Sequence, residues 1–165
     1  MALAPAQVGI AACLECCPDN AALLALKGMP GLLIDAKFDR QEMTLTVPRE
    51  KIVEAAEAIK QAGYNFLEDV TCVDLYPSAP RFQVAYHILS MRLKQRIRLI
   101  AMVAEENAAI DSIIPVWPSA NFYEREVFDL FGVRFNHHPN LIRIMMPDEW
   151  EGHPLRKDYP VEGYR

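Results

Sequence analysis

The sequence predicts an α+β fold: a largely antiparallel sheet with helices packed on one side, continued by an extended, irregular C-terminal tail. Three observations predict it. Residues 42–47, 81–91 and 95–104 alternate apolar and polar side chains with the period of a half-buried strand. Residues 52–62 instead place apolar side chains at helical spacing. Residues 133–165 hold Pro139, Pro147, Pro154 and Pro160, which exclude a long helix or a central strand.

The chain has 165 residues, one domain's worth and enough to close a hydrophobic core. Its net charge is −5, which argues against nucleic acid as a partner because phosphate binding needs a basic face. Even the longest apolar runs, such as Leu99–Ala104, are far short of the roughly 20 residues that span a bilayer. Met1–Cys17 has no positive flank before its apolar stretch, so it does not read as a signal peptide. The expectation is a cytoplasmic protein that reaches a membrane only through a partner.

Residues 7–29 are rich in Ala and Leu and read as helical, broken near Pro18 and ended by Gly28, Pro30 and Gly31. Three of the four cysteines, Cys13, Cys16 and Cys17, fall here; Cys72 is distant. A lone C-x-x-C lacks the second pair of a zinc or iron–sulfur site, so these read as free thiols. The competing reading makes Cys72 a distant metal ligand.

Leu32–Phe38 and Met43–Val47 form a hairpin across Asp39-Arg40-Gln41. Pro48 opens a helix whose apolar stripe is Ile52, Ala55, Ala56, Ile59 and Ala62, with Gly63 as its stop. Strands follow at Asn65–Leu75, Arg81–Met91 and Gln95–Ala104, the last two paired across Arg92-Leu93-Lys94. Arg92, Lys94, Arg96 and Arg98 then read as a solvated basic edge. The alternative is docking onto an acidic partner. Residues 105–118 read as a loop, and Ser119 as the N-cap of a short helix ending at Phe131 and Gly132.

On that helix Tyr123, Val127, Phe128, Leu130 and Phe131 form the apolar face, with Arg125, Glu126 and Asp129 opposite. Two residues misfit. Glu124 falls between Phe128 and Phe131, where a carboxylate must be paired or hydrogen-bonded, and an internal charge pair is expected. Phe122 falls on the charged side. Two misfits on one short helix imply that both faces are covered, one by the chain's own sheet and one by something else.

The tail is rich in apolar and aromatic side chains, including Leu141, Ile142, Ile144, Met145, Trp150, Leu155 and Tyr159, which disordered segments lack. It reads as an ordered ribbon laid on another protein. Self-wrapping is the alternative. The domain division is 1–132 for the α+β body, with 1–31 a helical segment of open role, and 133–165 for a partner-binding tail.

Catalytic constellations are weak. Glu124, Glu126 and Asp129 could pose as paired carboxylates, but Glu126 and Asp129 read as solvated surface and no phosphate loop or nucleophile elbow accompanies them. His137, His138 and His153, near Asp148 and Glu151, lack the helical spacing of metal ligands. No catalytic, cofactor or metal residues are expected in this chain.

Glu124-Arg125-Glu126-Val127-Phe128-Asp129-Leu130-Phe131-Gly132 resembles the E-R-E-x-x-D-x-F-G signature of the 30 kDa-type subunit of complex I, its C subunit. The resemblance continues through His138-Pro139 and Arg143-Ile144-Met145-Met146-Pro147. It then runs from Trp150-Glu151-Gly152-His153-Pro154-Leu155 through Arg156-Lys157-Asp158-Tyr159-Pro160. Upstream, Val73-Asp74, Phe82, Tyr86-His87 and Trp117 also resemble it, so that it covers roughly residues 64–160. Phe122 stands where many relatives carry Trp, and the N-terminal cysteines lie outside the pattern.

The resemblance implies a peripheral-arm scaffold of NADH:quinone oxidoreductase on the cytoplasmic side of the cell membrane, packed near the D, B and I subunits. It implies that NADH, FMN, the iron–sulfur clusters and quinone are bound by other subunits, whose electron transfer is coupled to proton translocation. Arg125, Arg143, Trp150, Arg156, Lys157 and Tyr159 are expected contact residues, within a signature that also includes His153 and Asp158. Related subunits of membrane-bound hydrogenases and of ferredoxin- or F420H2-dependent quinone oxidoreductases are the alternatives, with a stand-alone metalloenzyme as a distant third.

Overall fold

The computed structural model describes residues 6–162; Met1–Pro5 and the last three residues, including Tyr164, lie outside it. The expected first segment begins with a short strand rather than a helix. This strand, β1 (Gln7–Val8), pairs antiparallel with β2 (Asp35–Asp39) and is followed by helices α1 (Ile10–Cys16) and α2 (Ala21–Lys27). Pro18 falls between the two helices, and Asn20 caps α2 by accepting the Leu23 N–H at 2.9 Å.

The expected hairpin forms from β2 and β3 (Glu42–Val47), and Arg40 and Gln41 adopt the positive φ angles that turn it. After a single 3-10 turn, α3 (Ile52–Gln61) buries Ile52, Ala55, Ala56, Ala58 and Ile59. Strands β4 (Phe66–Asp74), β5 (Phe82–Ser90) and β6 (Gln95–Val103) follow, all antiparallel to their sequence neighbours.

The sheet order is β1-β2-β3-β6-β5-β4, with β3 and β6 parallel. This overturns the edge part of the reading of Arg96 and Arg98, although Arg96 itself stays exposed. Strand β6 is central, and its cations pair with side chains of other strands: Arg96 Nε lies 2.7 Å from Glu68, and Arg98 is ion-paired with Glu42 and donates to His87 at 3.2 Å. Sequence proximity paired β5 with β6 correctly, but the partner on the other side of β6 comes from some fifty residues upstream, which local alternation does not encode.

Met43, Leu45 and Val47 align with Ile97, Leu99 and Ala101, which align in turn with Ile88, Tyr86 and Val84. These rows are buried, and the helices cover them on one side. The other face carries Thr44, Arg98 and His87 and stays wetter.

The expected loop at 105–118 contains a 3-10 turn and strand β7 (Ala109–Asp111), which pairs in parallel with β8 (Arg134–Asn136). Between them runs α4 (Ala120–Phe131). Ser119 does not cap it with its side chain: it has helical dihedrals, and the Ala120 N–H instead bonds the Trp117 carbonyl. Gly132 ends the helix in the left-handed conformation, as expected. Val133 and Phe135 are buried members of the core.

Candidate functional site: the helix end and its tail

The last four carbonyls of a helix have no partner within it. In α4 the tail supplies most of what is missing. Phe128 accepts from the Gly132 N–H at 2.9 Å, and Leu130 from the Leu155 N–H at 3.0 Å. Phe131 accepts from Arg156 Nε at 2.6 Å, and His153 Nδ1 lies 2.9 Å from the Asp129 carbonyl. The tail is therefore the continuation of the helix's hydrogen bonding.

Asp129 is the centre of this junction. The expectation of a solvated carboxylate is overturned: its exposure is 0%. The wheel separates the helix face away from the sheet correctly, but the tail covers that face. Oδ2 accepts the backbone N–H groups of Ile144, Met145 and Met146 at 3.0, 2.7 and 2.9 Å, and Oδ1 pairs with Arg143 Nη1 at 2.7 Å. Burial alone would raise its pKa; three backbone donors and Arg143 outweigh that and hold it below the usual carboxylate value. Arg143 also donates to the carbonyls of Trp150 and Gly152, and Arg125 to those of Ile142 and Arg143. Two guanidinium groups thus fix a proline-broken segment that has almost no ladder of its own.

A second staple holds the far end of the tail. Arg81, only 3% exposed, faces Asp74 with Nε and Nη2 at 3.0 and 2.9 Å, a bidentate pair. Its Nη2 also lies 2.5 Å from Asp158, and Nη1 lies 2.5 Å from Glu105. The Lys157 N–H donates to Asp74 at 2.8 Å. Burial works against the Asp74 charge, but Arg81 and the Lys157 and Tyr76 N–H groups keep its pKa well below the normal range. Phe82 lies under both Arg81 and Arg156, each 5.1 Å from its ring centre. Sequence reading did not single out Arg81. Its signal is an arginine at the mouth of an apolar strand, directly before Phe82, the residue that pairs with Asp74.

Glu124 is buried, as its misfit implies, but it forms no charge pair among the described residues. It accepts from Ser112 Oγ at 2.6 Å and the Ile113 N–H at 2.8 Å. Burial pushes its pKa up to about 7, against the opposing effect of those two bonds. Glu126, by contrast, is exposed as expected. Phe122 remains 61% exposed, with Arg125 at 5.8 Å from its ring centre. His138 lies 3.2 Å from the Asn121 carbonyl and accepts the Asn140 N–H, a hydrogen-bonding spacer between α4 and the tail. Among the described residues, no three His, Cys, Asp or Glu side chains group in a way that could hold a metal ion.

Beyond the core residues Val133 and Phe135, the tail turns its polar contacts inward and leaves several apolar side chains outside. Ile142, Met145, Trp150 and Leu155 are all exposed, and Phe122 adds to them from α4.

The profile of the respiratory-chain NADH dehydrogenase 30 kDa subunit family matches residues 45–165. The chain belongs to this family. A family member from Citrifermentans bemidjiense, the C subunit of NADH-quinone oxidoreductase, is 46% identical over 88% of this chain and 91% of its own length. The protein of the same name from Geobacter sulfurreducens is 47% identical over the same shares. Among solved structures, a trypsin-resistant fragment of Nqo5 is 33% identical, with a TM-score of 0.62 over 78% of this chain and 98% of that one. A chain of the membrane-bound sulfane sulfur reductase, an archaeal respiratory membrane complex, shares the fold at 24% identity, with a TM-score of 0.73 over 84% of this chain and 82% of its own.

Proposed function

We propose that this 30 kDa-family chain is the C subunit of an NADH:quinone oxidoreductase and acts as a scaffold in its peripheral arm. Family membership supports the complex. The scaffold role is carried by one observation: a tail fixed to its own domain by buried carboxylates, with Ile142, Met145, Trp150 and Leu155 left exposed on its outer side. In this reading the domain of residues 1–132 is the body, and the outer surface of the tail, residues 133–165, is the docking face for the D, B and I subunits.

The complex moves electrons from NADH through FMN and iron–sulfur clusters to quinone, coupled to proton translocation. Those groups are assigned to partner subunits, and this chain keeps the geometry between them. No helix among the described residues is long and apolar enough to cross a membrane. Attachment through the complex on the cytoplasmic side of the cell membrane fits that. Of the expected contact residues, Arg125, Arg143 and Arg156 commit their guanidinium groups to this chain's own carbonyls and carboxylates. Trp150 and its apolar neighbours are then the better partner-facing set, since exposed aromatic anchors dominate interfaces.

The test is to place Trp150→Asp and Met145→Asp in the intact complex. The isolated variants are expected to melt within a few degrees of wild type, while blue-native gels show loss of assembled complex and of quinone reductase activity. A full complement of active complex from the double variant would remove the scaffold reading.

A further inference from the structure

The family match begins at residue 45, so Cys13, Cys16 and Cys17 lie ahead of it, and the scaffold role does not use them. Cys16 closes α1 and Cys17 is its C-cap. Their sulfurs are 3.5 Å apart. Cys16 is exposed, Cys17 is half-buried, and Cys13 is buried with its sulfur turned back toward the Gln7 carbonyl.

Cys16 and Cys17 line a cleft of about 380 Å³, the size class of small-molecule sites. The β5–β6 turn contributes Lys94, Gln95 and Arg96, and Phe38 and Met43 supply apolar wall. Arg96 is held by Glu68. Lys94 is exposed and has no ion pair among the described residues, and Asp19 is the one carboxylate of the lining. A paired thiol and an uncommitted cation thus share one cleft.

The geometry points to a thiol–disulfide exchange site for a small anionic disulfide of the glutathione type, with Cys16 attacking, Cys17 resolving and Lys94 holding a carboxylate of the ligand. Cys16 gives its proton to solvent, and its thiolate attacks one sulfur of the disulfide. That S–S bond breaks, and the first thiol of the pair leaves and takes up a proton. Cys17 loses its proton and attacks the Cys16 sulfur of the mixed disulfide; the second thiol leaves, and the Cys16–Cys17 bond forms. Two cysteine thiols are oxidised, and one disulfide is reduced to two thiols.

Burial and the neighbouring Cys16 sulfur push the Cys17 thiol up to about 11. That makes Cys17 a poor first nucleophile, whereas its held position favours the intramolecular second step. Burial likewise raises Cys13, and pushes Cys72 up to about 12, so neither competes. Sequence neighbours have Cα atoms about 3.8 Å apart, shorter than the usual disulfide span of about 4.4–6.8 Å. The oxidised pair is therefore readily reduced, and the modification is reversible. This inference rests on the N-terminal cleft alone and is independent of the scaffold reading.

The experiment treats the full chain with glutathione disulfide under mildly alkaline conditions and follows intact mass and peptide maps. Wild type is expected to end with a Cys16–Cys17 disulfide and no bound glutathione. Cys17→Ser should retain one glutathione on Cys16, and Lys94→Glu should slow the first step roughly 3- to 10-fold at low salt, with the difference shrinking at high salt. Three outcomes overturn the proposal: an adduct on Cys13 or Cys72 in Cys17→Ser, a wild-type rate in Cys16→Ser, or a Lys94→Glu rate equal to wild type at low salt. A wild-type chain that keeps its glutathione overturns the resolving role of Cys17.

Discussion

Arg143 Nη1 lies 2.7 Å from Asp129 Oδ1, and this pair joins the tail to the end of α4. A carboxylate near a helix C-terminus opposes the helix dipole. Here it is kept because Arg143 and three tail N–H groups converge on it.

Asp129→Asn should therefore loosen the tail more than the body. The amide keeps one acceptor oxygen and turns the other into a donor, so either Arg143 or the three backbone N–H groups of residues 144–146 lose their partner. The cost is roughly 3 kcal/mol. Hydrogen exchange is the direct measurement: the amides of Ile144, Met145 and Met146 should lose protection while β5 and β6 keep theirs. Unchanged protection at the three tail amides would show that Asp129 does not hold the segment. Because the Asp129 pKa is lowered in the fold, its contribution is present above about pH 4 and is lost as pH falls further.

Gly132→Ala should fail twice at one position. Its φ of 76° disfavours any side chain. A Cβ there would also stand 2.5 Å from His153 Nε2 and from Arg156 Nη2, the residues that serve the helix's last carbonyls. An ordinary left-handed Gly-to-Ala change costs about 1 kcal/mol. The clash raises the expectation to roughly 2–3 kcal/mol in urea unfolding. A loss under ~1 kcal/mol would mean that the tail moves aside freely.

Arg81 and Asp158 should respond unequally although they touch. Arg81→Leu leaves Asp74 buried without its bidentate partner, at a cost of about 3–5 kcal/mol. Asp158 is nearly half exposed, so water screens it, and Asp158→Asn should cost less than about 1 kcal/mol. Thermal melts of both variants decide this. Equal losses would place the weight of the staple on Asp158 instead of on Asp74.

Helix α4 shows what local sequence carries and what it does not. The wheel separates its two faces, and the misfit of Glu124 signals a buried carboxylate. The polarity of Asp129 reads as solvation because its partners, Arg143 and the amides of 144–146, come from a segment with no periodicity to read. Strand β6 is half legible for the same kind of reason. Its alternation fixes the buried rows Ile97, Leu99 and Ala101, but the parallel partner Met43–Val47 is chosen by long-range closure. Phe122 is expected to lie under a cover, and within this chain it is exposed.

Glu124 supplies the last prediction, with a pH signature. Its folded pKa is near 7 and its unfolded value is near about 4.3, so the folded chain holds the extra proton between them. Where the native state binds more protons, stability falls as pH rises. The neutral acid is thus tolerated at low pH, and the penalty for ionising it grows from about pH 4 to about pH 7 and then levels. Glu124→Gln keeps the shape and cannot ionise. The melting temperature of the variant relative to wild type should therefore climb between pH 5 and pH 8, by the equivalent of on the order of 2–3 kcal/mol at most. A constant offset across that range would mean that Glu124 is already ionised when buried, with Ser112 and Ile113 sufficient to stabilise its charge.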